Sequence, residues 1–145
     1  YQTALKKHGI KMDWSLVIRT MYRKNEAYQA ALKLMERSDR PTALFVQNDH
    51  LSISVLDAVM DRGLRVPQDV AMVSFDGTAI AASRAFGLTT VSQRIYEMGK
   101  TAVDILMEQL SDEDNKKRYQ VIFEPELIIR RTCGSSIAES THVAE

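Results

Sequence analysis

The sequence has 145 residues, with 19 basic and 19 acidic side chains, a hydrophobic fraction of 45% and a formal net charge of zero at pH 7. This balance excludes nucleic-acid binding by bulk positive charge, and the absence of any run of 18 apolar residues excludes a transmembrane helix. Cys133 is the only cysteine, so an internal disulfide is excluded and a reducing, cytoplasmic environment is favoured. His8, His50 and His142 have no second ligand at metal spacing, so we expect no metal site and no cofactor.

The first half of the chain alternates helical and strand-like segments. Residues 1–9 have the pattern of the last turns of a helix that ends at Gly9, and no N-cap precedes them, so we expect a piece of a longer chain. The segments that follow are continuous apolar runs, typical of buried strands, and stretches with helical apolar spacing. They predict a strand at 15–19, a helix at 25–37, a strand at 42–46, a helix at 51–62 and a strand at 70–75.

Strands that alternate with single helices form two successive βαβ units, which predict a parallel sheet with right-handed crossovers. The strands are apolar on both faces, so we expect helices on both faces of this α/β sheet. Beyond Asp76 the pattern is weaker and the elements are less regular. We predict a short helix at 80–85, a strand at 88–91, an amphipathic helix at 96–110, a charged loop at 111–118, a strand at 120–130 interrupted by Pro125, and a disordered tail at 134–145.

Polar side chains follow the predicted strands. In an open parallel sheet, ligands bind beyond the carboxyl ends of the strands, because the N-termini of the following helices present free N–H groups there. Tyr22 follows the first predicted strand, Asn48 follows the second, and Asp76 ends the third. Amide and carboxylate groups hydrogen-bond hydroxyls or ring nitrogens, and an aromatic ring packs on the flat face of a sugar or base. The sequence therefore predicts a site for a small polar ligand at this edge.

Each of these residues also has a purely structural interpretation. Asn48 or Asp49 can be the N-cap of the helix at 51–62, and capping is compatible with ligand contact. Asp76 can belong to a simple turn with the glycine that follows it, and Tyr22 can be a packing aromatic. Both interpretations stay open at this point.

Catalysis fits the sequence poorly. Neither a nucleophile with a nearby base nor a Gly-rich phosphate loop follows any predicted strand. Asp49 and His50 are an acid–base candidate, but adjacent helical residues point about 100° apart and converge poorly. We therefore expect a protein that is not an enzyme.

The helix at 51–62 has apolar residues over more than half of its circumference, whereas one apolar stripe is enough to pack on a sheet. The second stripe contains Ile53, Leu56 and Met60. Either a neighbouring helix of the same lobe or a second subunit covers this stripe. We favour a symmetric homodimer contact, since exposed apolar patches of this size usually mark interfaces.

Six sequence blocks occur in order along the chain. They are Pro41-Thr-Ala-Leu-Phe-Val-Gln-Asn-Asp49, Gly63-Leu-Arg-Val-Pro-Gln-Asp-Val70, Val73-Ser-Phe-Asp76, Leu88-Thr-Thr-Val-Ser-Gln93, Gly99 and Glu124-Pro-Glu-Leu-Ile-Ile-Arg-Arg131. In this order and spacing the blocks resemble the C-terminal part of a regulator of the LacI/GalR (lactose/galactose repressor) family. The resemblance extends from Tyr1 to about Gly134.

The resemblance implies a two-lobed core like that of a periplasmic sugar-binding protein, and a helix-turn-helix DNA-binding headpiece that this chain does not contain. By this analogy, residues 89–91 and 129–131 are hinge strands. The implied domains are 1–88 in the C-terminal lobe, 89–117 in the N-terminal lobe, 118–133 as a return strand to the C-terminal lobe, and 134–145 as a disordered tail.

The resemblance also implies an effector site in the cleft between the lobes. Carried over residue by residue, this cleft contains Tyr22, Asn48 and Asp76, and Ile95 lines it from the other lobe. Gly77 stands where the family often has a second acidic residue. This departure leaves the effector open between a sugar and a nucleoside-like compound.

We therefore expect the effector-sensing and dimerisation domain of a LacI-type transcriptional regulator, which contacts DNA only through the missing headpiece. The effector acts by its differential affinity for two arrangements of the lobes. The alternative is the sugar-binding protein of an uptake transporter, which has the same fold and cleft. A helix-turn-helix upstream would identify the regulator, and a signal peptide upstream would identify the transporter protein.

Overall fold

The computed structural model describes residues 1–111 and 117–135. Four α-helices, four β-strands and two short 3₁₀ turns make up this part of the chain. In chain order they are α1 (Gln2–Lys7), a 3₁₀ turn (Trp14–Leu16), α2 (Lys24–Met35), β1 (Ala43–Phe45), α3 (Asp49–Asp61), β2 (Ala71–Asp76), β3 (Thr89–Ser92), α4 (Ile95–Ser111), β4 (Glu126–Ile128) and a 3₁₀ turn (Arg131–Cys133). Within these residues, no helix has both the length and the apolar composition that crossing a membrane requires.

The strands form one sheet in the order β1-β2-β3-β4. β2 pairs parallel with β1 and with β3, whereas β4 pairs antiparallel with β3. The register places Phe45 beside Val73 and Asp76 beside Ser92. The predicted parallel sheet is thus present in β1, β2 and β3, and their carboxyl ends meet at one edge, as the location of a strand-end site requires.

The hydrophobic core lies between the helices and the sheet. α2 packs against α3, and α3 packs against β2, because each of these helices has an apolar stripe at helical spacing. The buried apolar residues are Ala27, Ala31, Leu34 and Met35 of α2, Leu51, Val55, Leu56, Ala58 and Val59 of α3, Val70 and Met72 in and just before β2, and Ala81 and Leu88 before β3. This core fixes the start of α3 relative to the end of β2.

The expectation that Leu56 lies at a subunit interface is wrong. Leu56 is only 7% exposed and belongs to the core that α2 and α3 share. The neighbouring helix, which was the other explanation for the second apolar stripe, covers this position. Ile53 is partly buried against the same core, whereas Met60 is 60% exposed. Only the C-terminal part of the stripe is therefore open to a partner.

Residues 15–19 do not form the predicted strand, so the first of the two predicted βαβ units is absent. The side chain of Asp13 accepts a hydrogen bond of 2.8 Å from the N–H of Ser15 and caps the 3₁₀ turn that begins at Trp14. Such a local side-chain bond offers the backbone an alternative to a sheet ladder. The second predicted unit, β1–α3–β2, is present.

Two smaller expectations are also wrong. Residues 80–85 form turns rather than a short helix, and the strand predicted at 120–130 pairs only over β4. Pro125 directly precedes β4, and proline has no N–H group to donate to a ladder, which accounts for the late start of pairing. Residues 136–145 of the disordered tail expected from residue 134, and residues 112–116 of the charged loop expected at 111–118, lie outside the described residues.

Met72, the second residue of β2, is buried in the core, and a substitution there tests the location of the core. Replacing Met72 by alanine leaves a cavity, so we expect Met72→Ala to lower the free energy of unfolding by about 2–5 kcal/mol. Urea-induced unfolding followed by circular dichroism measures this loss. Met21 is 78% exposed and is the matched control, since Met21→Ala should change stability by about 0.5 kcal/mol or less. Equal losses in the two variants would contradict this location of the core.

Candidate functional site

A cleft of about 390 Å³ opens at the carboxyl edge of the sheet. Its walls are residues that end β1 and β2 or follow them, together with one residue of the loop before α2. The lining residues are Tyr22, Phe45, Gln47, Asn48, Phe75 and Asp76. The structure thus brings together the three predicted residues Tyr22, Asn48 and Asp76. Ile95, the first residue of α4, is 59% exposed and is not among the residues that line this cleft.

Tyr22 lies at the rim of the cleft rather than in the core. Its side chain is 65% exposed, and its hydroxyl oxygen accepts a hydrogen bond of 2.9 Å from the Nε2 group of Gln47. Its backbone has a φ of 55°, a left-handed conformation that a non-glycine residue rarely adopts. The packing interpretation of Tyr22 is therefore not supported, and Gln47 orients the phenol beside the cleft.

Asn48 is the N-cap of α3. Its backbone is extended, and its Oδ1 atom accepts a hydrogen bond of 2.8 Å from the N–H of Leu51. The capping interpretation is thus correct for Asn48, whereas Asp49 is the first helical residue. Because the cap uses the amide oxygen, the NH₂ group of Asn48 can donate to a ligand in the cleft.

Asp76 ends β2 with an unusual backbone. Its φ is 114°, and Gly77 follows with a φ of 71°, so the chain turns sharply at the edge of the sheet. The Oδ1 atom of Asp76 accepts a hydrogen bond of 2.8 Å from Nε2 of Gln93, which lies between β3 and α4. Non-glycine residues in such conformations persist where the surrounding structure holds them and often mark functional sites. Asp76 thus combines an unusual turn conformation with a place in the lining of the cleft.

Asp49 is fully buried beneath the cleft and bonded on both oxygens. Its Oδ2 atom accepts from the N–H of Thr78 at 2.7 Å and from the Thr78 hydroxyl at 2.8 Å. Its Oδ1 atom accepts from the hydroxyl of Thr90 at 2.8 Å. A carboxylate is costly to bury, and hydrogen bonds from neutral donors offset part of that cost.

The pKa of Asp49 reflects this balance. Burial raises the pKa, but hydrogen bonds from Ser74, Thr78 and Thr90 outweigh burial and hold the pKa below its ordinary value. Asp49 is therefore ionised at neutral pH and acts as an acceptor only. His50 is exposed, so Asp49 and His50 do not form the converging acid–base pair that a catalytic function would need.

Two aromatic residues of the cleft, Phe45 and Phe75, are not among the residues predicted for the site. Phe45 pairs with Val73, and residues two apart share one face of a strand, so Phe45 and Phe75 are diagonal neighbours on the same face of the sheet. Phe45 is 56% exposed, which is unusual for an aromatic residue in a parallel strand. The signal that could have identified them in the sequence was an aromatic residue within two positions of the end of a predicted strand.

The described residues contain no site that suits a metal ion. Across residues 1–111 and 117–135, no cluster of three or more histidine, cysteine, aspartate or glutamate side chains has a geometry that could hold one.

Comparison with known proteins places this chain in a family. The periplasmic binding protein-like domain matches residues 1–133. The HTH-type transcriptional repressor PurR of Vibrio atlanticus is 33% identical over 134 residues, which are 91% of this chain and 39% of that protein. The HTH-type transcriptional regulator DegA of Bacillus subtilis is 33% identical over 136 residues, again 91% of this chain and 39% of that protein. The chain thus spans about two fifths of the length of these relatives.

Solved structures have the same fold. The transcription regulator CcpA of Lactococcus lactis superposes with a TM-score of 0.79 at 29% identity, covering 92% of this chain and 48% of that chain. A LacI family transcriptional regulator from Enterococcus faecium with bound ribose has a TM-score of 0.81 at 22% identity, covering 91% and 48%. At 22% identity, the similarity to the Enterococcus faecium regulator shows only that the two proteins share a fold. The chain belongs to the periplasmic binding protein-like family, in the form that makes up the effector-binding core of LacI/GalR regulators.

A substitution at Gly77 tests the turn that contains Asp76. A Cβ atom at Gly77 would lie 2.7 Å from the Cα atom of Ser92, and the positive φ adds backbone strain. We expect Gly77→Ala to lower the free energy of unfolding by about 2–4 kcal/mol, measured by urea-induced unfolding.

Gly9 and Gly99 are the matched controls for this substitution. Gly9 has a similar φ of 70° with open space where a Cβ atom would lie, so Gly9→Ala reports the backbone strain alone, about 1 kcal/mol. Gly99 lies within α4 with nothing near it, and Gly99→Ala should be neutral or stabilising by about 1 kcal/mol. A Gly77→Ala protein as stable as Gly9→Ala would contradict the close approach of the turn to Ser92.

Proposed function

We propose that this chain is the effector-sensing and dimerisation domain of a DNA-binding transcriptional regulator, and that it binds a small polar ligand between two lobes. The observation that carries the proposal is the cleft at the carboxyl edge of the sheet, where Tyr22, Asn48 and Asp76 meet. These three residues come from separate segments of the chain, and only the fold brings them together. Concave sites with few polar groups and aromatic walls are typical of small-molecule binding.

The chemistry of the cleft favours a sugar or a nucleoside-like ligand. The aromatic rings of Tyr22, Phe45 and Phe75 offer flat apolar surfaces, on which a sugar face or a base can pack. Asn48 supplies hydrogen-bond donors and Asp76 a carboxylate acceptor, a combination that suits adjacent hydroxyl groups or ring nitrogens. Ribose is bound in the Enterococcus faecium regulator of the same fold, which makes ribose a reasonable first probe.

The described structure forms one wall of this site, and we infer that a second lobe forms the other. In this proposal, residues 1–88 and 118–133 belong to the C-terminal lobe and residues 89–117 to the N-terminal lobe. The helix α4 supports the inference of a second lobe, because none of its residues is buried although its sequence is amphipathic. Its exposed large hydrophobic residues are Ile95, Tyr96, Met98, Val103, Leu106, Met107 and Leu110. A helix with such a face needs a packing partner, and the rest of the N-terminal lobe provides one.

The two connections between the lobes are hinge strands in this proposal. Two hydrogen bonds tie these connections together: the N–H of Thr89 donates to Thr132 Oγ1 at 2.9 Å, and the N–H of Arg130 donates to Thr89 Oγ1 at 2.9 Å. Closing the cleft on a ligand changes the lobe orientation about these strands. A ligand can drive this change only by binding one arrangement more tightly than the other.

In this proposal, DNA binding belongs to a headpiece outside this chain. The chain itself has a net charge of zero and therefore no net electrostatic attraction for DNA. The names of the PurR and DegA relatives as helix-turn-helix regulators support this assignment and a cytoplasmic location. The binding protein of an uptake transporter is the alternative, since it uses the same fold and cleft. The transcriptional relatives favour the regulator.

Ligand binding is tested by titration calorimetry of the full-length protein with D-ribose, D-glucose and inosine. For a probe that binds, Asp76→Ala should weaken the affinity about 10- to 100-fold, because a hydrogen bond to a charged group is lost. Asn48→Asp should weaken it by a similar factor while keeping the helix cap, since aspartate retains the accepting oxygen but lacks the NH₂ donors.

The control for these variants is Asp104→Asn, which changes an exposed carboxylate of α4 that pairs with Lys100. This variant should bind the probe like the wild type. A probe that binds the Asp76→Ala and Asn48→Asp proteins as tightly as the wild type would show that the site lies elsewhere.

A homodimer is the proposed assembly, with α3 contributing Met60 and the partly buried Ile53. We expect Met60→Glu to raise the dimer dissociation constant at least about tenfold, because the interface must then bury a charge. Sedimentation velocity of the full-length protein measures this change. Met21→Glu is the control, since Met21 is also exposed but lies far along the chain from α3. A Met60→Glu protein that dimerises like the wild type would contradict the assignment of this surface.

A further inference from the structure

The buried carboxylate of Asp49 connects three segments that are distant in sequence. Asp49 begins α3, Thr78 lies 29 residues later in the turn after β2, and Thr90 lies 41 residues later in β3. All its hydrogen bonds to these residues are between 2.7 and 2.8 Å. A buried apolar side chain would avoid the desolvation cost of a carboxylate, so stability alone does not explain an ionised group here.

The turn that carries Asp76 is held by this carboxylate from both sides. Thr78 binds Oδ2 of Asp49 directly through its N–H and its hydroxyl. Thr90 binds Oδ1 of Asp49, and its hydroxyl oxygen also accepts a hydrogen bond of 3.3 Å from the N–H of Gly77. Asp76 therefore precedes two residues whose backbone N–H groups are both tied, directly or through one hydroxyl, to Asp49.

The backbone at Asp76 requires such restraint. Its φ of 114° and the φ of 71° at Gly77 are conformations that cost free energy and persist only where neighbouring contacts determine them. Asp49 also directly follows Asn48, whose side chain caps α3 and lines the cleft. One buried side chain is thus adjacent to Asn48 in sequence and is hydrogen-bonded to the turn that follows Asp76.

We propose that Asp49 is a positioning residue of the effector cleft, which sets the location of the Asp76 carboxylate through Thr78 and Thr90. This inference rests on the proposed function, since it assigns a role in ligand affinity to a side chain that does not line the cleft. A purely structural role would lower stability without changing the affinity of the folded protein. A positioning role changes the affinity of the folded protein and acts through Asp76.

Asp49→Asn is the variant that separates these roles. Asparagine has the same shape and keeps one oxygen for the Thr78 donors, but it places an NH₂ group where the Thr90 hydroxyl now donates. Val59→Ala is the matched control. Val59 is also fully buried in α3, so its truncation lowers stability, but its apolar side chain makes no hydrogen bond to Asp49 or to the turn after β2.

Titration calorimetry of the full-length protein with D-ribose, D-glucose and inosine, below the unfolding temperature of every variant, measures the effect on affinity. For a probe that the wild type binds, we expect Asp49→Asn to weaken affinity about tenfold and Val59→Ala to change it less than about twofold. On an Asp76→Ala background, Asp49→Asn should add less than about twofold, because its effect acts through Asp76. Wild-type affinity in Asp49→Asn, or a full tenfold loss on the Asp76→Ala background, would overturn the inference.

Hydrogen–deuterium exchange of the peptide that contains Gly77 and Thr78 provides a readout without a ligand. We expect Asp49→Asn to speed exchange of these amides about tenfold or more, and Val59→Ala to change it much less. Unchanged exchange in Asp49→Asn would overturn the inference even if none of the three probes binds. Failure of all three probes to bind the wild type, with faster exchange in Asp49→Asn, would count against the proposed ligand class and support the positioning role. If Asp76→Ala weakens probe binding and Asp49→Asn does not, the result would support the proposed function and refute the role of Asp49.

Discussion

The carboxylate of Asp49 joins the start of α3, the turn after β2 and the crossing strand β3 through hydrogen bonds to Thr78 and Thr90. The geometry of the cleft depends on this group, because the first segment presents Asn48 and the second presents Asp76. Hydrogen-bond donors hold the charge where burial alone would favour the protonated acid, and they keep the pKa of Asp49 below its ordinary value. The apolar core formed by α2, α3 and β2 holds in place the elements that carry these hydrogen bonds.

In the proposed function, the cleft is one wall of a two-sided site. Its aromatic residues and its few polar groups meet at the carboxyl edge of β1 and β2, and β3 leads from that edge to α4. The apolar face of α4 is exposed within the described residues, which agrees with a helix that packs on another part of a longer protein. The zero net charge, which excluded DNA binding by this chain alone, is compatible with regulation of DNA binding from a separate headpiece.

Local patterns were sufficient for much of the fold and for part of the site. β1, α3 and β2 could be predicted because continuous apolar runs and helical spacing report burial directly, and Asn48 and Asp76 followed from the rule that ligands bind at strand ends. Tyr22 was predicted from a strand at 15–19 that the structure lacks, although it does line the cleft. The strand expected at 15–19 failed because one Asp13 side chain closes a local turn. The burial of Leu56 against α2 and the bonds of Asp49 to Thr78 and Thr90 depend on contacts between distant segments, which no local pattern records.

The most direct measurement of the central claim is a crystal structure of the full-length protein with whichever of D-ribose, D-glucose or inosine binds most tightly. We predict the ligand within hydrogen-bond distance of the Asn48 amide and the Asp76 carboxylate, with a ring of Tyr22, Phe45 or Phe75 packed against it and the bonds of Asp49 to Thr78 and Thr90 intact. A ligand bound elsewhere, with Asn48 and Asp76 facing only solvent, would contradict this prediction.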